Sequence, residues 1–256
     1  MSEIFETHAH YDDAAFDEDR DLLLQNLKSK GVCNVITAGA DLESSLKSTQ
    51  LSQKYDYIYA AVGIHPENIS ENLEKDYLEK LENMISENKK VVAVGEIGLD
   101  YHFRTDNKES QKEVFINQIK LANRLGLPVL VHDRDAHGDT MEILKEFKPR
   151  GIVHCFSGSL EMAREVVKIG MLLGVGGVVT FKNAKNIVEV VREMPLDNIV
   201  LETDAPYMAP TLFRGKRCDS SMIKYTAEKI AEIKNVGVSE VLDVTKNNAK
   251  KLFGIL

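Results

Sequence analysis

The stretch VVAVGEIGL, at residues 91–99, shows the pattern that decides the fold. It is short and apolar, and Glu96 is its one charged residue. A strand with one face in water alternates apolar and polar residues, whereas a parallel strand covered by helices on both faces is apolar almost throughout. Residues 91–99 therefore predict a buried parallel strand of an α/β protein.

The rest of the chain repeats this unit, a strand-like run followed by a helix-like run. Most of the other strand candidates are also short and rich in Val and Ile; they are 4–10, 32–39, 58–65, 128–133, 151–156, 171–179 and 198–204. Amphipathic runs typical of helices lie between them, at 17–30, 74–87, 108–125 and 184–194, and two more helices, 220–234 and 239–252, close the chain. Asp41 and Ser157 stand where helix N-caps are expected.

Strict alternation of strands and helices predicts a parallel sheet, and eight units favour a closed barrel. The 256 residues match the length of about 250 that such a barrel needs. We predict one domain, residues 1–256, forming a single (β/α)8 TIM-like barrel with an extra C-terminal helix. The alternative is an open doubly wound sheet. Its dinucleotide-binding form is weakly supported, because no GxGxxG follows the first strand.

Composition and charge indicate the cellular compartment and the class of protein. The sequence has no run of 18 or more apolar residues, and its acidic start lacks a signal-peptide pattern, so we expect neither a membrane span nor secretion. The three cysteines are far apart and odd in number, which favours reduced thiols in the cytoplasm. The net charge of −8 argues weakly against a protein that coats nucleic acid. It does not exclude an enzyme that handles one strand end in a locally positive mouth.

Ionisable residues lie near the C-terminal ends of six of the eight predicted strands. A strand buried on both faces should have almost none, and the C-terminal mouth is where barrel enzymes place their chemistry. Five of the seven histidines belong to this set, which consists of His8, His10, His65, Glu96, His132, His154, Glu202 and Asp204.

Histidine and carboxylate side chains gathered at one depth indicate a metal site, because buried ionisable groups are costly unless they are paired or bound to a cation. His8 and His10 are two residues apart on a strand and share a face. Alone, the pair is equally compatible with a surface position; with His132, His154, Glu96 and Asp204 it predicts a metal centre. A Glu96 carboxylate can bridge two cations, although a salt bridge in the core is the alternative.

The remaining polar residues of the mouth receive separate roles. Asp204 is predicted to ligate a metal or to take a proton from water. Glu202, one layer deeper, and Asp100, which has the same strand parity as Glu96, are predicted to orient ligand histidines. Three roles remain possible for His65: metal ligand, general acid, or hydrogen-bond donor to a phosphate oxygen. A solvated helix position is the better interpretation for His137, and His102 is undecided.

Cationic side chains collect in the loops at the same mouth. Arg134 follows His132, Lys182 follows the seventh strand, and Arg214, Lys216 and Arg217 form the loop FRGKR after the eighth. A basic run is usually a solvated surface. Around a metal centre in an acidic protein, however, a cationic rim predicts an anionic substrate such as a phosphodiester.

These motifs, taken together, resemble the TatD-type metal-dependent deoxyribonucleases among the amidohydrolase-like barrels. The matching segments run in order along nearly the whole chain; they are ETHAHYDD at 6–13, AAVGIHP at 60–66, VGEIGLDYH at 94–102, PVLVHDRDAHGDT at 128–140, HCFSGS at 154–159, LLGVGGVVTFKNA at 172–184, LETDAPYMAP at 201–210, RGKR at 214–217 and NNAKKLFG at 247–254.

The resemblance implies two divalent cations and a set of ligands. The first cation is expected on His8, His10, Glu96 and Asp204, and the second on Glu96, His132 and His154. The resemblance also implies that His65 contacts the scissile phosphate.

This chain departs from the family pattern at two places. Cys218, Asp219 and Ser220 stand where the family usually has Asn-Glu-Pro, and Tyr11 stands where it often has leucine. Neither change touches a predicted ligand, but the first lies in the loop expected to border the substrate.

The predicted function is hydrolysis of phosphodiester bonds in single-stranded DNA or DNA ends. Its 3′→5′ exonuclease direction is implied by the resemblance alone. Asp204, His65 and Glu96 are the catalytic candidates, and Arg134, Arg214, Lys216 and Arg217 join His65 as substrate-binding candidates. The cations are two divalent ions, Zn, Mn or Mg. No obligate protein partner is expected. One alternative is hydrolysis of another ester or amide, such as a D-aminoacyl-tRNA ester, and another is a non-catalytic metal- or nucleic-acid-binding module.

Overall fold

The computed structural model describes residues 3–103 and 105–255, and in them eight strands form one sheet. The strands are β1 (Ile4–Ala9), β2 (Val32–Ala38), β3 (Ile58–Val62), β4 (Val91–Asp100), β5 (Val129–Arg134), β6 (Gly151–Val153), β7 (Leu172–Val175) and β8 (Ile199–Leu201). Each pairs in parallel with the next along the chain, in the order β1 to β8.

The sheet closes where the segment after β8 meets β1. Ala9 and Ala205 form a parallel bridge. The Asp204 amide donates to the His8 carbonyl oxygen at 3.0 Å, and the His10 amide donates to the Ala205 carbonyl oxygen at 2.7 Å. These bonds join the first strand to the chain beyond the last. The predicted (β/α)8 barrel is therefore confirmed.

Nine α-helices lie in the described residues, most of them between successive strands. They are α1 (Arg20–Leu27), α2 (Leu42–Lys54), α3 (Tyr77–Glu87), α4 (Lys108–Leu125), α5 (His137–Phe147), α6 (Leu160–Lys168), α7 (Lys185–Glu193), α8 (Ile223–Lys234) and α9 (Val238–Phe253). The predicted extra C-terminal helix is α9, which packs on α8, β8 and β1.

Apolar side chains from all the strands meet in the interior of the barrel. One buried cluster takes a residue from almost every strand; it includes Phe5, Ile36, Ala61, Ala93, Leu130, Ile152 and Val200. Phe253 of α9 joins this cluster and stacks on Phe5, with ring centroids 6.0 Å apart. The apolar strands predicted from the sequence thus supply the core under the mouth.

Four strands end three or more residues earlier than their apolar patterns predicted. Residues 63–65, 154–156, 176–179 and 202–204 lie outside β3, β6, β7 and β8. Cys155 and Asp204 have φ values of 44° and 63°, and a strand requires negative φ. Residues Gly177–Thr180 form a 3-10 turn. The polar residues predicted at the ends of these strands therefore lie on loops at the mouth.

One of the two predicted helix caps is correct. The Asp41 side chain accepts a hydrogen bond from the Ser44 amide and caps α2. Ser157 does not cap α6; Ser159 does, accepting from the Met162 amide. The helix begins two residues later because the chain must first turn through Cys155, whose φ is positive.

Among the described residues, no helix combines the length and apolar character that a membrane crossing requires.

Candidate metal centre

Four side chains from β1, β4 and the loop after β8 converge at the mouth of the barrel. His8 and His10 bring their Nε2 atoms to 3.2 Å from each other. The Glu96 Oε2 atom lies 3.4 Å from Nε2 of His8 and 3.3 Å from that of His10. Asp204 Oδ1 lies 3.7 Å and 3.4 Å from the same two nitrogens. One set of potential ligand atoms therefore surrounds a single point.

The other oxygen of Glu96 faces a second group of nitrogens. Glu96 Oε1 lies 2.7 Å from His154 Nε2, 2.9 Å from His132 Nδ1 and 3.5 Å from His65 Nε2. Glu96 thus stands between two groups, with one carboxylate oxygen turned to each. Three sets of these side chains have ligand atoms close enough together to hold a metal ion. They are His8, His10 and Asp204; His8, Glu96 and His154; and His65, Glu96 and His132.

Burial makes these ionisable groups expensive and determines how they share protons. Burial and the nearby His154 lower the pKa of His8 to about 4. Burial opposes protonation of His132 as well, but hydrogen bonds to Asp100 and Glu96 raise its pKa to about 10. Burial would raise the pKa of Glu96, and His154 and His65 hold it well below its usual range. Without a cation, therefore, protons on some of the histidines must balance the carboxylates.

Hydrogen bonds outside the centre direct the histidine lone pairs into it. His10 Nδ1 donates to the Ala38 carbonyl oxygen at 2.9 Å, which leaves the Nε2 lone pair facing Glu96. His132 Nε2 donates to Asp100 Oδ2 at 3.0 Å, which leaves its Nδ1 facing Glu96. Metal-binding histidines in proteins are held by this kind of outer hydrogen bond. Asp100 therefore contacts the outer nitrogen of His132, and its role in orienting a ligand histidine stays a prediction.

Glu202 lies beneath His154 in a space that only a glycine permits. Its Oε1 atom accepts a hydrogen bond from the Cys155 amide and lies 3.9 Å from His154 Nδ1. A Cβ atom on Gly174 would lie 2.4 Å from Glu202 Oε2. Burial raises the pKa of Glu202 to about 7. Glu202 therefore lies close to His154, and its role in orienting a ligand histidine stays a prediction.

His65 follows β3 and has its proton on the side of the centre. Its Nδ1 atom accepts from the Glu67 amide at 3.2 Å, so the neutral ring carries its proton on Nε2, which points to Glu96. Burial lowers the pKa of His65 to about 3, so the ring is neutral. Of the three roles left open, donor to a substrate oxygen suits this tautomer best.

The predicted cationic rim is only partly available to a substrate. Arg134 lies over the Phe103 ring and Arg214 over the Phe181 ring, at 4.6 Å and 4.4 Å from the ring centroids. Lys182 and Lys216 are exposed.

Arg217 differs from the other rim cations, because both of its terminal nitrogens are already bonded. Nη1 donates to the Ala15 carbonyl oxygen and to Asp19 Oδ1, each at 2.7 Å, and Nη2 donates to Asp19 Oδ2 at 2.6 Å. In this structure Arg217 ties two loops together.

The two histidines outside the centre lie near acids. His102 Nδ1 is 2.9 Å from Asp135 Oδ2, and His137, the first residue of α5, is 2.8 Å from Asp133 Oδ2.

One buried acid next to the centre was missed by the sequence analysis. Glu6 Oε1 accepts from the amides of His8 and Thr203, at 3.1 Å and 2.9 Å, and Oε2 accepts from the Thr203 hydroxyl at 2.6 Å. Glu6 therefore ties β1 to the residue before Asp204. The strand pairing is irregular between Glu6 and Ala9, so simple alternation with His8 and His10 does not predict where the Glu6 carboxylate lies.

The two departures from the family pattern contact each other. The Tyr11 hydroxyl lies 2.7 Å from Ser220 Oγ and accepts from the Ser220 amide at 2.9 Å. Both residues are buried. A proline in place of Ser220 would have no N–H to donate. The tyrosine and the serine therefore form a matched pair beside the barrel mouth.

A family model described as TatD related DNase matches residues 5–254. This chain belongs to the TatD family. Its closed barrel and its histidine and carboxylate centre are therefore those of a TatD-family metal-dependent hydrolase.

Relatives of similar length support this assignment. The chain is 44% identical to the uncharacterized metal-dependent hydrolase YabD of Bacillus subtilis over 255 residues, which cover 98% of this chain and 99% of YabD. It is 34% identical to the uncharacterized metal-dependent hydrolase YcfH of Escherichia coli K12, with 98% and 96% covered. The crystal structure of YJJV, a TatD homolog from Escherichia coli, superposes with a TM-score of 0.90 at 33% identity, covering 99% of this chain and 98% of YJJV.

Proposed function

We propose that this TatD-family hydrolase is a deoxyribonuclease that cleaves phosphodiester bonds in single-stranded DNA or at DNA ends, with two divalent cations. The observation that supports it most is the division of the Glu96 carboxylate, whose two oxygens face two separate groups of ligand atoms. A bridging carboxylate is the usual link in two-metal sites that carry out in-line displacement at phosphorus. The 3′→5′ direction is part of the proposal and rests on the family resemblance.

The residues present fit a pair of cations. Nitrogens of His8 and His10 face each other at 3.2 Å, and nitrogens of His132 and His154 do so at 3.3 Å. Lone pairs at these distances repel unless a proton or a cation lies between them. Imidazole and carboxylate ligands suit Zn and Mn, and carboxylates with water suit Mg. When bound, such cations polarise a phosphoryl oxygen and lower the pKa of water to about 7.

The side chains around the centre would then have separate roles in hydrolysis. Asp204 Oδ1 faces His8 and His10 and would take the proton of the attacking water. His65 would donate from Nε2 to a non-bridging phosphate oxygen, the direction that its hydrogen bond from Glu67 imposes. Asp100 and Glu202 would hold His132 and His154 in position through the entire reaction.

The substrate proposal rests on charge. The chain has a net charge of −8, yet four cations lie at the mouth: Arg134 at the end of β5, and Lys182, Arg214 and Lys216 in the loops after β7 and β8. Such a local concentration of positive charge draws a polyanion to the centre. We also propose a cytoplasmic location, on the basis of the three widely spaced cysteines.

The assay that tests the proposal uses metal-free protein, 5′-labelled single-stranded DNA, and Mg, Mn or Zn added in turn. We expect metal-dependent shortening of the DNA from its 3′ end. His132→Ala should abolish it, because it removes a nitrogen from the second group. Absence of cleavage with every metal would contradict the nuclease proposal and favour hydrolysis of a different ester or amide.

A second variant tests the role of Asp204. Asp204→Asn keeps the size of the side chain but cannot take a proton, so we expect the rate of cleavage to fall by at least about a hundredfold. Circular dichroism and thermal unfolding should show that the barrel remains folded. Cleavage within tenfold of the wild-type rate would rule out this role for Asp204.

A further inference from the structure

A cleft lies between the segment that follows β7 and the long loop that follows β8. Its volume is about 490 Å³, and Phe181, Tyr207, Met208, Arg214 and Lys216 are among its lining residues. Tyr207 is only three residues from Asp204, and its amide donates to the Asp204 carbonyl oxygen at 2.8 Å. One lining residue of the cleft therefore shares a turn with the predicted metal ligand Asp204.

The two sides of the cleft are held together by direct contacts. The Thr211 amide donates to Thr180 Oγ1 at 2.8 Å, and the Thr211 hydroxyl donates to the Thr180 carbonyl oxygen at 2.7 Å. Gly177 packs so closely on the second loop that a Cβ atom there would lie 2.4 Å from the Met208 carbonyl oxygen. These contacts make the cleft a preformed site.

An exposed but oriented aromatic ring forms one wall. Tyr207 is 54% exposed, which is unusual for so large an apolar surface. Its hydroxyl donates to Asp13 Oδ2 at 2.8 Å, and burial and Asp13 raise the pKa of that hydroxyl to about 12. The ring is thus fixed at its edge, while about half of the residue's surface stays open to a ligand.

Two cations of the cleft are left for a ligand. No ion pair joins Arg214 or Lys216 to a carboxylate among residues 3–103 and 105–255, whereas Arg217 is bound to Asp19. Arg214 is positioned by the Phe181 ring, which lies beneath its guanidinium. The cleft therefore offers an aromatic surface and two positive charges on the loop that also contains Asp204 of the candidate metal centre.

We propose that this cleft binds the nucleotide adjacent to the scissile phosphate of a single DNA strand. The base stacks on Tyr207 and Met208, and the neighbouring phosphate lies between Arg214 and Lys216. This inference rests on the proposed nuclease function and adds to it a subsite that requires an unpaired base. Aromatic rings beside cations are how proteins bind single strands without regard to sequence.

Binding measurements test the subsite separately from catalysis. Fluorescence anisotropy would be recorded with a 5′-fluorescein oligothymidylate and the metal-free protein, so that no strand is cut. We expect Tyr207→Ala to raise Kd about tenfold, within the range known for loss of one base–aromatic stack. Tyr207→Phe should stay within about threefold of wild type, because the ring remains. Thermal unfolding of each variant checks that the loop change has not unfolded the protein.

Salt dependence tests the two cations. The Arg214→Ala/Lys216→Ala double variant should lower the slope of log Kd against log salt concentration by about 0.7, because each neutralised phosphate of a single strand adds about 0.7 to that slope and the two cations share one phosphate. Lys168→Ala is the matched control; Lys168 is exposed at the last residue of α6, just before β7 begins and so at the end of the barrel opposite the mouth, and should change neither Kd nor slope.

The outcomes separate the two proposals. Unchanged Kd in Tyr207→Ala, or an equal loss of affinity for blunt duplex DNA, would overturn the base subsite even if the wild-type protein cleaves DNA. If the wild-type protein binds the strand through Tyr207 but cleaves no DNA with any metal, the nuclease proposal fails and the subsite stands.

Discussion

Glu96 connects the two halves of the metal centre. Its Oε2 atom faces His8 and His10, and its Oε1 atom faces His132 and His154. It is also 3% exposed, so it has no water to solvate its charge in place of these groups. A carboxylate in this position is stable only with protons or cations on its neighbours. The chemistry of the site follows from that requirement.

The Glu202 carboxylate fits beside Gly174 only because glycine has no Cβ atom, and this gives a testable prediction. Gly174→Ala would place a Cβ atom 2.4 Å from the Glu202 carboxylate, so Glu202 or the backbone must move. We expect a loss of about 1–3 kcal/mol of unfolding free energy, typical of overpacking, and reduced metal affinity through His154. Urea unfolding and metal titration measure both effects.

Gly138 is the matched control for Gly174. A Cβ atom there would have no atom within 4 Å, and Gly138 lies in α5. Gly138→Ala should therefore be neutral or stabilising by up to about 1 kcal/mol. Equal stability losses in the two variants would show that crowding against Glu202 is not the cause.

Tyr11 and Ser220 give a second prediction at this scale. Tyr11→Leu leaves the Ser220 amide without its partner, and Ser220→Pro leaves the Tyr11 hydroxyl without one. We expect each single change to cost about 1–3 kcal/mol, because a buried polar group loses its partner. The double variant restores the family pattern at both positions and should be more stable than the sum of the single effects by about 1–2 kcal/mol.

The local backbone supports this pairing. Asp219 has φ −142° and ψ 161°, the extended conformation that a residue before proline adopts, so Ser220→Pro introduces no strain there. Chemical denaturation of the four proteins of the cycle measures the coupling. Additive effects would mean that the two departures are independent.

The sequence could predict which side chains lie together when they follow the C-terminal ends of neighbouring strands. It could not predict hydrogen-bond partners that come from distant parts of the chain. The metal-centre histidines could be grouped because parallel strands end at one edge. The bond between Glu6 and Thr203 joins residues far apart in sequence, and no local pattern reveals it. Arg217 was predicted to bind substrate, a role that remains untested, and its ion pair with Asp19 is equally hidden in the sequence.

At the scale of elements, apolar runs predicted where strands lie but not where they end. Residues 171–179 form one apolar run, yet β7 stops at Val175 and a 3-10 turn follows. The turn exists because Gly177 packs against the loop after β8, which is a tertiary contact. Gly126 ends α4 in the left-handed conformation, with φ 69°, which is a local property of glycine.

The N-cap of α2 allows a prediction about one element. Asp41 accepts from the Ser44 amide at 2.7 Å, and the Ser44 hydroxyl lies 2.8 Å from the Asp41 amide, a reciprocal capping box. Asp41→Ala should cost about 1 kcal/mol of unfolding free energy. Asp76, before α3, makes no side-chain cap bond, so Asp76→Ala should cost less. Thermal or urea unfolding compares the two, and equal losses would contradict the capping role.

At the scale of the whole molecule, the barrel assembles one centre from strands far apart in sequence. His8 and Asp204 meet because the segment after β8 pairs with β1 and closes the sheet. The ligand geometry therefore exists only when the barrel is closed. Binding of a cation must then stabilise the folded state, because the unfolded chain has no such site.

Metal removal tests this linkage. Adding Mn²⁺ to protein freed of metal with EDTA, at about 100 times its Kd, should add about 2.7 kcal/mol for each site filled. In a chain of this size that corresponds to a rise in Tm of about 5–10 °C. Glu96→Gln should lose most of the rise, since both groups lose their shared oxygen charge. An equal rise in wild type and Glu96→Gln would place the stabilising ion elsewhere.

The most direct test of the two-cation centre is the anomalous scattering of Mn²⁺ in crystals grown with that ion. We predict two peaks about 3.5–4 Å apart, the spacing of two-metal hydrolases. One should lie among His8, His10, Asp204 and Glu96, and the other among Glu96, His132 and His154. A single peak, or peaks away from these side chains, would contradict the two-cation centre.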